Sequence, residues 1–414
     1  MKLVKNPVKG MKDILPDEMK IREYCLSVIK NTYALYGFTQ VETPAVENIE
    51  NLQSNQGGDN EKLIFKILKR GEKFSLENAA GADDLVDCGL RYDLTLPLAR
   101  YFAANGDKLP SPFKALQIGS VFRADRPQRG RFRQFTQCDI DVLGDATPTA
   151  EIDLISATSE ALTRLGFNDL KIKINDRRIL KALCAYAGFS EEAFPVFSVI
   201  LDKADKIGTD GVKAELLESG FEEGGIEKAL SLIGKVFASD DGLAVVKNTL
   251  SSYLDAGVCE NLELIFNTAT PLVGSVKLVY DLSLVRGMGY YTGPIFEIET
   301  PSFGAAIGGG GRYDEMIGKF CGRSVPACGF SIGFERIVTL LSEQNFKVDT
   351  GVEKKAFLIE KDVSAQKMRE VFLKAKELRQ NGCVVLITSR NKNAGFQKSL
   401  LEKDGYTEFF DIYK

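Results

Sequence analysis

The stretch VFRADRPQRGRFRQFTQCDID, Val121 to Asp141, packs Arg123, Arg126, Arg129, Arg131 and Arg133 into eleven residues opposed only by Asp125. Apolar residues recur on both sides of it: Phe113, Leu116, Ile118 and Val121 before, Phe132, Phe135, Ile140 and Val142 after. Between them Arg126-Pro-Gln-Arg-Gly130 reads as a turn, with Pro127 fixing φ and Gly130 free to take φ > 0. The pattern predicts a β-hairpin with a basic tip. Guanidinium groups fixed on strands suit a polyanion held in one geometry, because each can grip phosphate oxygens through two parallel hydrogen bonds. The competing reading is an edge hairpin whose arginines discourage strand pairing with other chains.

Six further segments, in chain order, decide between these. They are Lys9–Pro16 (KGMKDILP), Gly37–Glu47 (GFTQVETPAVE), Arg91–Pro97 (RYDLTLP), Leu284–Gly293 (LVRGMGYYTG), Gly308–Asp314 (GGGGRYD) and Gly329–Arg336 (GFSIGFER). Together with the hairpin they resemble the class II aminoacyl-tRNA synthetases, in the histidyl form. The hairpin resembles motif 2, Gly37–Glu47 motif 1 with its proline at Pro44, and Gly329–Arg336 motif 3. Leu284–Gly293 and Gly308–Asp314 resemble the two histidyl-specific motifs. Arg91–Pro97 resembles the strand that faces ATP and amino acid.

The resemblance implies an α+β fold: the class II synthetase antiparallel sheet with flanking helices, an inserted helical domain and a small C-terminal α/β domain. Residues 1–175 form the first part of the catalytic domain and 176–260 the insert, where helical periodicity is broken at Gly208, Gly211, Gly220 and Gly224-Gly225. Strand signals return from Leu264, so 261–342 complete the catalytic domain. A polar linker, 343–352, leads to an anticodon-binding-like unit at 353–414, read as two strands and two helices ending near 403.

Composition agrees with a multi-domain enzyme. A length of 414 residues accommodates two or three cores. Apolar content of 44% and charged content of 27% are ordinary for globular chains. No run of 18 apolar residues suggests a membrane span, and the N-terminus lacks the apolar core of a secretory signal. Eight scattered cysteines and no histidine exclude mixed Cys/His zinc sites and suit reduced thiols in the cytoplasm. The net charge of −4 is unevenly spread, with +4 in 353–414 and −8 elsewhere. Recognition of RNA then rests on placed contacts rather than on a general field.

The implied reaction activates L-histidine with ATP and Mg²⁺ to histidyl-adenylate and transfers it to the 3′ end of tRNA(His). Attack of a carboxylate on the α-phosphate brings two anions together, so fixed positive charge is needed where charge develops. By resemblance, Arg123 binds the α-phosphate, Arg336 the γ-phosphate, and Asp125 and Arg131 complete the ATP site. Arg286 is the histidyl-specific catalytic cation and also touches the amino acid. Asp93 and Thr95 accept from the ammonium, Gln137 bridges the amino acid's backbone groups, Asp141 and Tyr291 grip the imidazole nitrogens, and Tyr290 walls the pocket. Arg126, Gln128 and Arg129 reach the tRNA acceptor end. Motif 1 implies a homodimer; no structural metal and no membrane are expected. Selection of neutral imidazole implies that activation weakens through roughly pH 6–7, with the substrate as the titrating group.

The chain departs from the family pattern in places. Gly289 stands where Asp is usual, Thr136 where bacterial members often carry His, and Asp93, Asp125 and Asp141 where Glu is frequent. The C-terminal unit is shorter than the family's usual anticodon-binding domain and is expected to lack that domain's last strand and flanking segment. A second reading stays open: the regulatory subunits of ATP phosphoribosyltransferase, which share the fold and bind histidine without aminoacylation.

Overall fold

A computed structural model describes residues 3–56, 58–77, 79–285, 289–348 and 351–414. It comprises two units, Met1–Phe346 and Lys347–Lys414.

In the first unit, β1 (Thr39–Val41) is followed by three short strands, β2 (Val46–Asn48), β3 (Lys66–Leu68) and β4 (Val86–Leu90), that form a small antiparallel sheet of order β2-β4-β3. The arginine-rich stretch is then realised as a hairpin: β5 (Phe113–Phe122) pairs antiparallel with β6 (Gln134–Leu143) over ten residue pairs. Next come β7 (Lys171–Asp176), β8 (Lys277–Tyr280), β9 (Pro294–Glu299), β10 (Ala306–Arg312) and β11 (Ala327–Ile332). They complete an eight-stranded sheet of order β1-β5-β6-β11-β10-β9-β7-β8, antiparallel except at its two outer pairs.

Alternation along β6 decides what each face does. Cys138, Ile140 and Val142 are at most 1% exposed and point to the helices. Thr149–Arg164 packs on β6 and β11, and Phe334–Glu343 on β6 and β10. Helix Pro16–Leu35, begun by a proline and two acids suited to a helix N-terminus, packs against both helices. Gln137, Asp139 and Asp141 take the opposite face. Buried Arg22 joins the helical layer to the sheet: its guanidinium grips both carboxylate oxygens of Glu335 at 2.7 and 2.9 Å, and the Thr136 N–H donates to the same carboxylate at 3.0 Å.

Two sequence expectations are corrected here. Arg91–Pro97 is not a strand: β4 stops at Leu90 and helix Thr95–Asn105 begins within the segment. The Asp93 carboxylate accepts the Leu96 N–H at 3.1 Å, and Pro97 falls where a first-turn N–H has no intrahelical partner. Strand signals do not return at Leu264 either. A continuous helix, Ala256–Ala269, crosses the expected boundary at 260, capped by Asp255 and burying Val258, Leu262, Ile265 and Ala269 at helical spacing. Its apolar run mimics a strand only when read without that period.

The second unit has three parallel strands, β12 (Lys354–Ile359), β13 (Val384–Ser389) and β14 (Glu408–Ile412), in the order β13-β12-β14. Helices Ala365–Gln380 and Ala394–Lys403 make the crossovers. The sequence reading of two strands therefore missed a third. Strand β14 is five residues, two acids among Phe409, Phe410 and Ile412, and only its register with β12 reveals it.

Candidate active site

The open face of β6, β10 and β11 floors a cavity of about 480 Å³. Asp93, Thr95, Arg123, Asp125, Arg131 and Gln137 line it, and so do Asp141, Tyr290, Tyr291 and Arg336. Arg126, Gln128 and Arg129 lie outside it, exposed at the hairpin tip. Arg286 lies outside the described residues.

The cations gather at the tip end of the hairpin. The Arg123 guanidinium stands 4.3 Å from the Tyr92 ring and 5.2 Å from the Phe135 ring, while its Nε donates to the Tyr92 carbonyl at 3.0 Å. Aromatic stacking fixes the plane and leaves the terminal nitrogens for a ligand. Arg131 pairs with Asp125 at 3.0 Å, so these two proposed ATP residues hold each other. Arg336 donates to the Ala306 carbonyl. The turn itself is tighter than the sequence suggested: Gln128 and Arg131 exchange backbone hydrogen bonds of 3.0 and 2.9 Å across Arg129-Gly130. Gly130 takes φ +66°, and a Cβ there would lie 2.9 Å from Phe303 and 3.0 Å from Arg336. Arg129 stacks on Phe303 at 4.6 Å and pairs with Glu343.

Acids gather further along. At roughly 3.3 Å per residue, β6 carries Asp141 about 20 Å from Phe135, enough for an elongated ligand with an anionic end and a cationic or hydrogen-bonding end. Asp93, Asp139 and Asp141 are 2–4% exposed. Burial lifts the Asp141 carboxyl to about 7; the Tyr313 hydroxyl, donating at 2.6 Å, opposes the rise and Asp93 adds to it. Burial and then the charge of Asp141 hold Asp139 far above the usual carboxylate range, against a bond from Ser331. Two buried acceptors of the lining, Gln137 Oε1 and Asp141 Oδ2, have no hydrogen-bond donor among the described residues. A buried acceptor without a donor costs about 1–3 kcal/mol, so each is a place where a ligand N–H or O–H restores the lost bond. Gly329 faces Asp141 across the β6–β11 ladder, and a Cβ on it would fall 2.0 Å from Asp141 Oδ1. The glycine that opens motif 3 is what gives that carboxylate its room.

Sequence reading gave no role to Asp139, Tyr313, Ser331 or the insert residues Asp202 and Lys206, all of which line the cavity. Strand alternation alone would have flagged Asp139, midway between Gln137 and Asp141 on one face. Tyr313 and Ser331 reach the site only through sheet pairing.

Comparison with known proteins agrees with this geometry. The family model described as histidyl-tRNA synthetase matches residues 10–337. The chain belongs to the histidyl-tRNA synthetase family. Among its relatives, the histidine–tRNA ligase of Leifsonia xyli subsp. xyli is 47% identical over 349 residues, 81% of this chain and 80% of that protein. The probable histidine–tRNA ligase of Tropheryma whipplei is 38% identical over 99% of this chain and 95% of its own, so it shares the short C-terminal unit. The crystal structure of histidyl-tRNA synthetase from Nostoc sp. PCC 7120 superposes with a TM-score of 0.79 at 28% identity, covering 98% of this chain and 90% of that one. An ATP phosphoribosyltransferase regulatory subunit/histidyl-tRNA synthetase from Bacillus halodurans C reaches a TM-score of 0.78 at 21% identity over 100% and 99% of the two chains, a likeness of fold alone. Among the described residues, no helix is long and apolar enough to cross a membrane.

Proposed function

We infer that the chain is a histidine–tRNA ligase that forms histidyl-adenylate from L-histidine and ATP and transfers the histidyl group to tRNA(His). The observation that carries this reading is one cavity with stacked cations at one end and buried donor-less acceptors at the other. The relatives named histidine–tRNA ligase, matched over most of their length, favour it over a purely regulatory histidine-binding role.

In this reading the fixed Arg123 guanidinium takes the α-phosphate and Arg336 the γ-phosphate. Arg131 and Asp125, already paired, bracket the nucleotide. Mg²⁺ would accompany ATP and would offset the charge of its phosphates beside these residues. Asp93 and Thr95 receive the ammonium and Gln137 Oε1 a further N–H. Asp141 Oδ2 and the Tyr291 hydroxyl take the two imidazole nitrogens, beside Tyr290, whose ring lies 4.9 Å from that of Tyr291. Arg286, placed by motif resemblance, supplies positive charge between carboxylate and α-phosphate as the new bond forms. Transfer needs no protein imidazole, and the chain has none; a phosphate oxygen of the adenylate accepts the proton of the attacking tRNA hydroxyl.

Exposed Arg126, Gln128 and Arg129 at the tip suit the acceptor end, and the positive C-terminal unit suits the anticodon region. Strand β1 ends the sheet, and Leu35 (70% exposed) and Val46 (45% exposed) flank it with apolar surface, which supports a homodimer through motif 1. Histidine-dependent exchange of pyrophosphate into ATP, followed by charging of tRNA(His), tests the assignment. Absence of both activities returns the chain to the regulatory reading, and exchange without charging restricts it to adenylation.

A further inference from the structure

We propose that Asp139, with Ser331, is a positioning residue that fixes the direction of the Gln137 carboxamide, and so makes the pocket select ligands carrying an α-ammonium group. The proposal deepens the assignment of this cavity as a histidine site and rests on it.

Gln137, Asp139 and Asp141 occupy successive positions on the pocket face of β6, and Ser331 is the cross-strand partner of Asp139. A glutamine amide can sit either way round, because its oxygen and nitrogen have nearly the same shape and opposite hydrogen-bonding sense. Here the neighbours break that symmetry. Gln137 Nε2 lies 3.3 and 3.4 Å from the two oxygens of Asp139 and 3.1 Å from Ser331 Oγ. The Ser331 hydroxyl donates to Asp139 Oδ1, which leaves the serine oxygen as an acceptor for the amide. Burial favours the protonated Asp139 in the empty pocket, but beside a bound ammonium the ionised form is restored and only accepts, so the amide NH₂ turns toward Asp139, as the three contacts of Nε2 already place it, and the carbonyl Oε1 turns away. That Oε1 is one of the donor-less buried acceptors of the cavity lining. The opposite orientation would bring two acceptors together at Asp139 and offer the ligand an N–H, which repels an ammonium. A bound ammonium in turn favours the ionised form of Asp139 and reinforces the arrangement. Asp139 itself is 4% exposed and is given no contact with the substrate.

The consequence is a coupling that a purely structural acid would not show. Asp139→Asn keeps the shape but adds a donor, so Gln137 loses the reason to face one way. Calorimetry on the full-length protein should show histidine bound about tenfold or more weakly in Asp139→Asn, the scale of losing one hydrogen bond to a charged group. Gln137→Ala should cause a similar loss, and the double variant should bind no worse than Gln137→Ala alone. Imidazolepropionic acid, which lacks the ammonium, should bind the wild type and Asp139→Asn equally, and ATP binding should not change. Additive losses in the double variant, or equal weakening of histidine and of the des-amino analogue, overturn the proposal. If wild-type protein binds no histidine, the underlying assignment fails instead, and the two failures are distinct. Should Asp139→Asn not fold, Ser331→Ala removes one partner of the same amide with little change in volume. It should weaken histidine and leave the des-amino analogue unaffected, and loss of both ligands in that variant refutes the idea.

Discussion

Replacing Tyr313 with phenylalanine should move the acidic limb of histidine activation upward by about 1–2 pH units. In the ligand-free pocket, burial raises the Asp141 carboxyl to about 7, and the Tyr313 hydroxyl is the contact that holds it from rising further. A hydrogen bond of 2.6 Å to a carboxylate is charge-assisted. Such a bond is worth about 1.5–3 kcal/mol, and each 1.36 kcal/mol corresponds to one pKa unit. The sign follows from which form binds: Asp141 must be ionised to accept the imidazole N–H. The competent fraction of free enzyme is therefore full above the Asp141 pKa and falls tenfold per pH unit below it. In Tyr313→Phe the ionised form loses its donor, so the limb shifts from near 7 toward about 8–9 and kcat/KM at pH 7 drops by about 5- to 50-fold. Beside the substrate's own imidazole, Asp141 then adds a second titration to the profile. With histidine, the wild-type profile should steepen below about 6.5 as the substrate's imidazole protonates. With a triazole analogue that stays neutral, one protonation should remain. The assay is pyrophosphate exchange, with kcat/KM followed from about pH 5.5 to 9.5, the span of both titrations. Asp141→Asn is the control for Asp93 and Asp139, which face the same space. A limb that stays in place or moves down in Tyr313→Phe, or that survives unchanged in Asp141→Asn, refutes the reasoning.

Other perturbations follow from the contacts above. Arg22→Ala leaves Glu335 buried without its cation and should destabilise the first unit by about 3–5 kcal/mol in denaturant titration, whereas Arg129→Ala, which breaks an exposed pair, should leave the unfolding transition almost where it was. Alanine at both Gln128 and Arg129 should reduce tRNA charging and leave pyrophosphate exchange largely intact; a parallel fall in both would place the tip in the adenylate site. Arg286→Ala should lower kcat for adenylation by about 10²–10³ and affect histidine affinity less, an outcome that single-turnover measurements separate from binding. Sedimentation at sub-micromolar concentration should show a dimer, and a stable, active monomer would contradict the motif 1 interface.

The parts of this protein legible in its sequence are those governed by local physics. Alternating apolar residues and a Pro–Gly turn specify the hairpin β5–β6 whatever surrounds it, and the glycine at position 130 adopts the positive φ that its place demands. Arg123, Arg131 and the acid at Asp141 could be assigned to one pocket, and Arg126 and Arg129 to the exposed tip, because strand spacing and motif order fix them relative to one another. Local pattern failed where a short segment takes its structure from a distant partner. Strand β14 exists through its register with β12, Arg91–Pro97 turns into a helix that Asp93 helps to start, and the helix at Ala256–Ala269 buries a stripe that a strand could also have offered. The electrostatics of the pocket belong to the tertiary structure altogether. Tyr313 meets Asp141 across 172 residues of chain, and Glu335 meets Arg22 across 313. No window of sequence holds both members of such a pair. Residue types alone announce an acid at position 141; its proton affinity is set by how much water the fold removes and by which hydroxyl the fold brings back, quantities that come into being only once the sheet has closed.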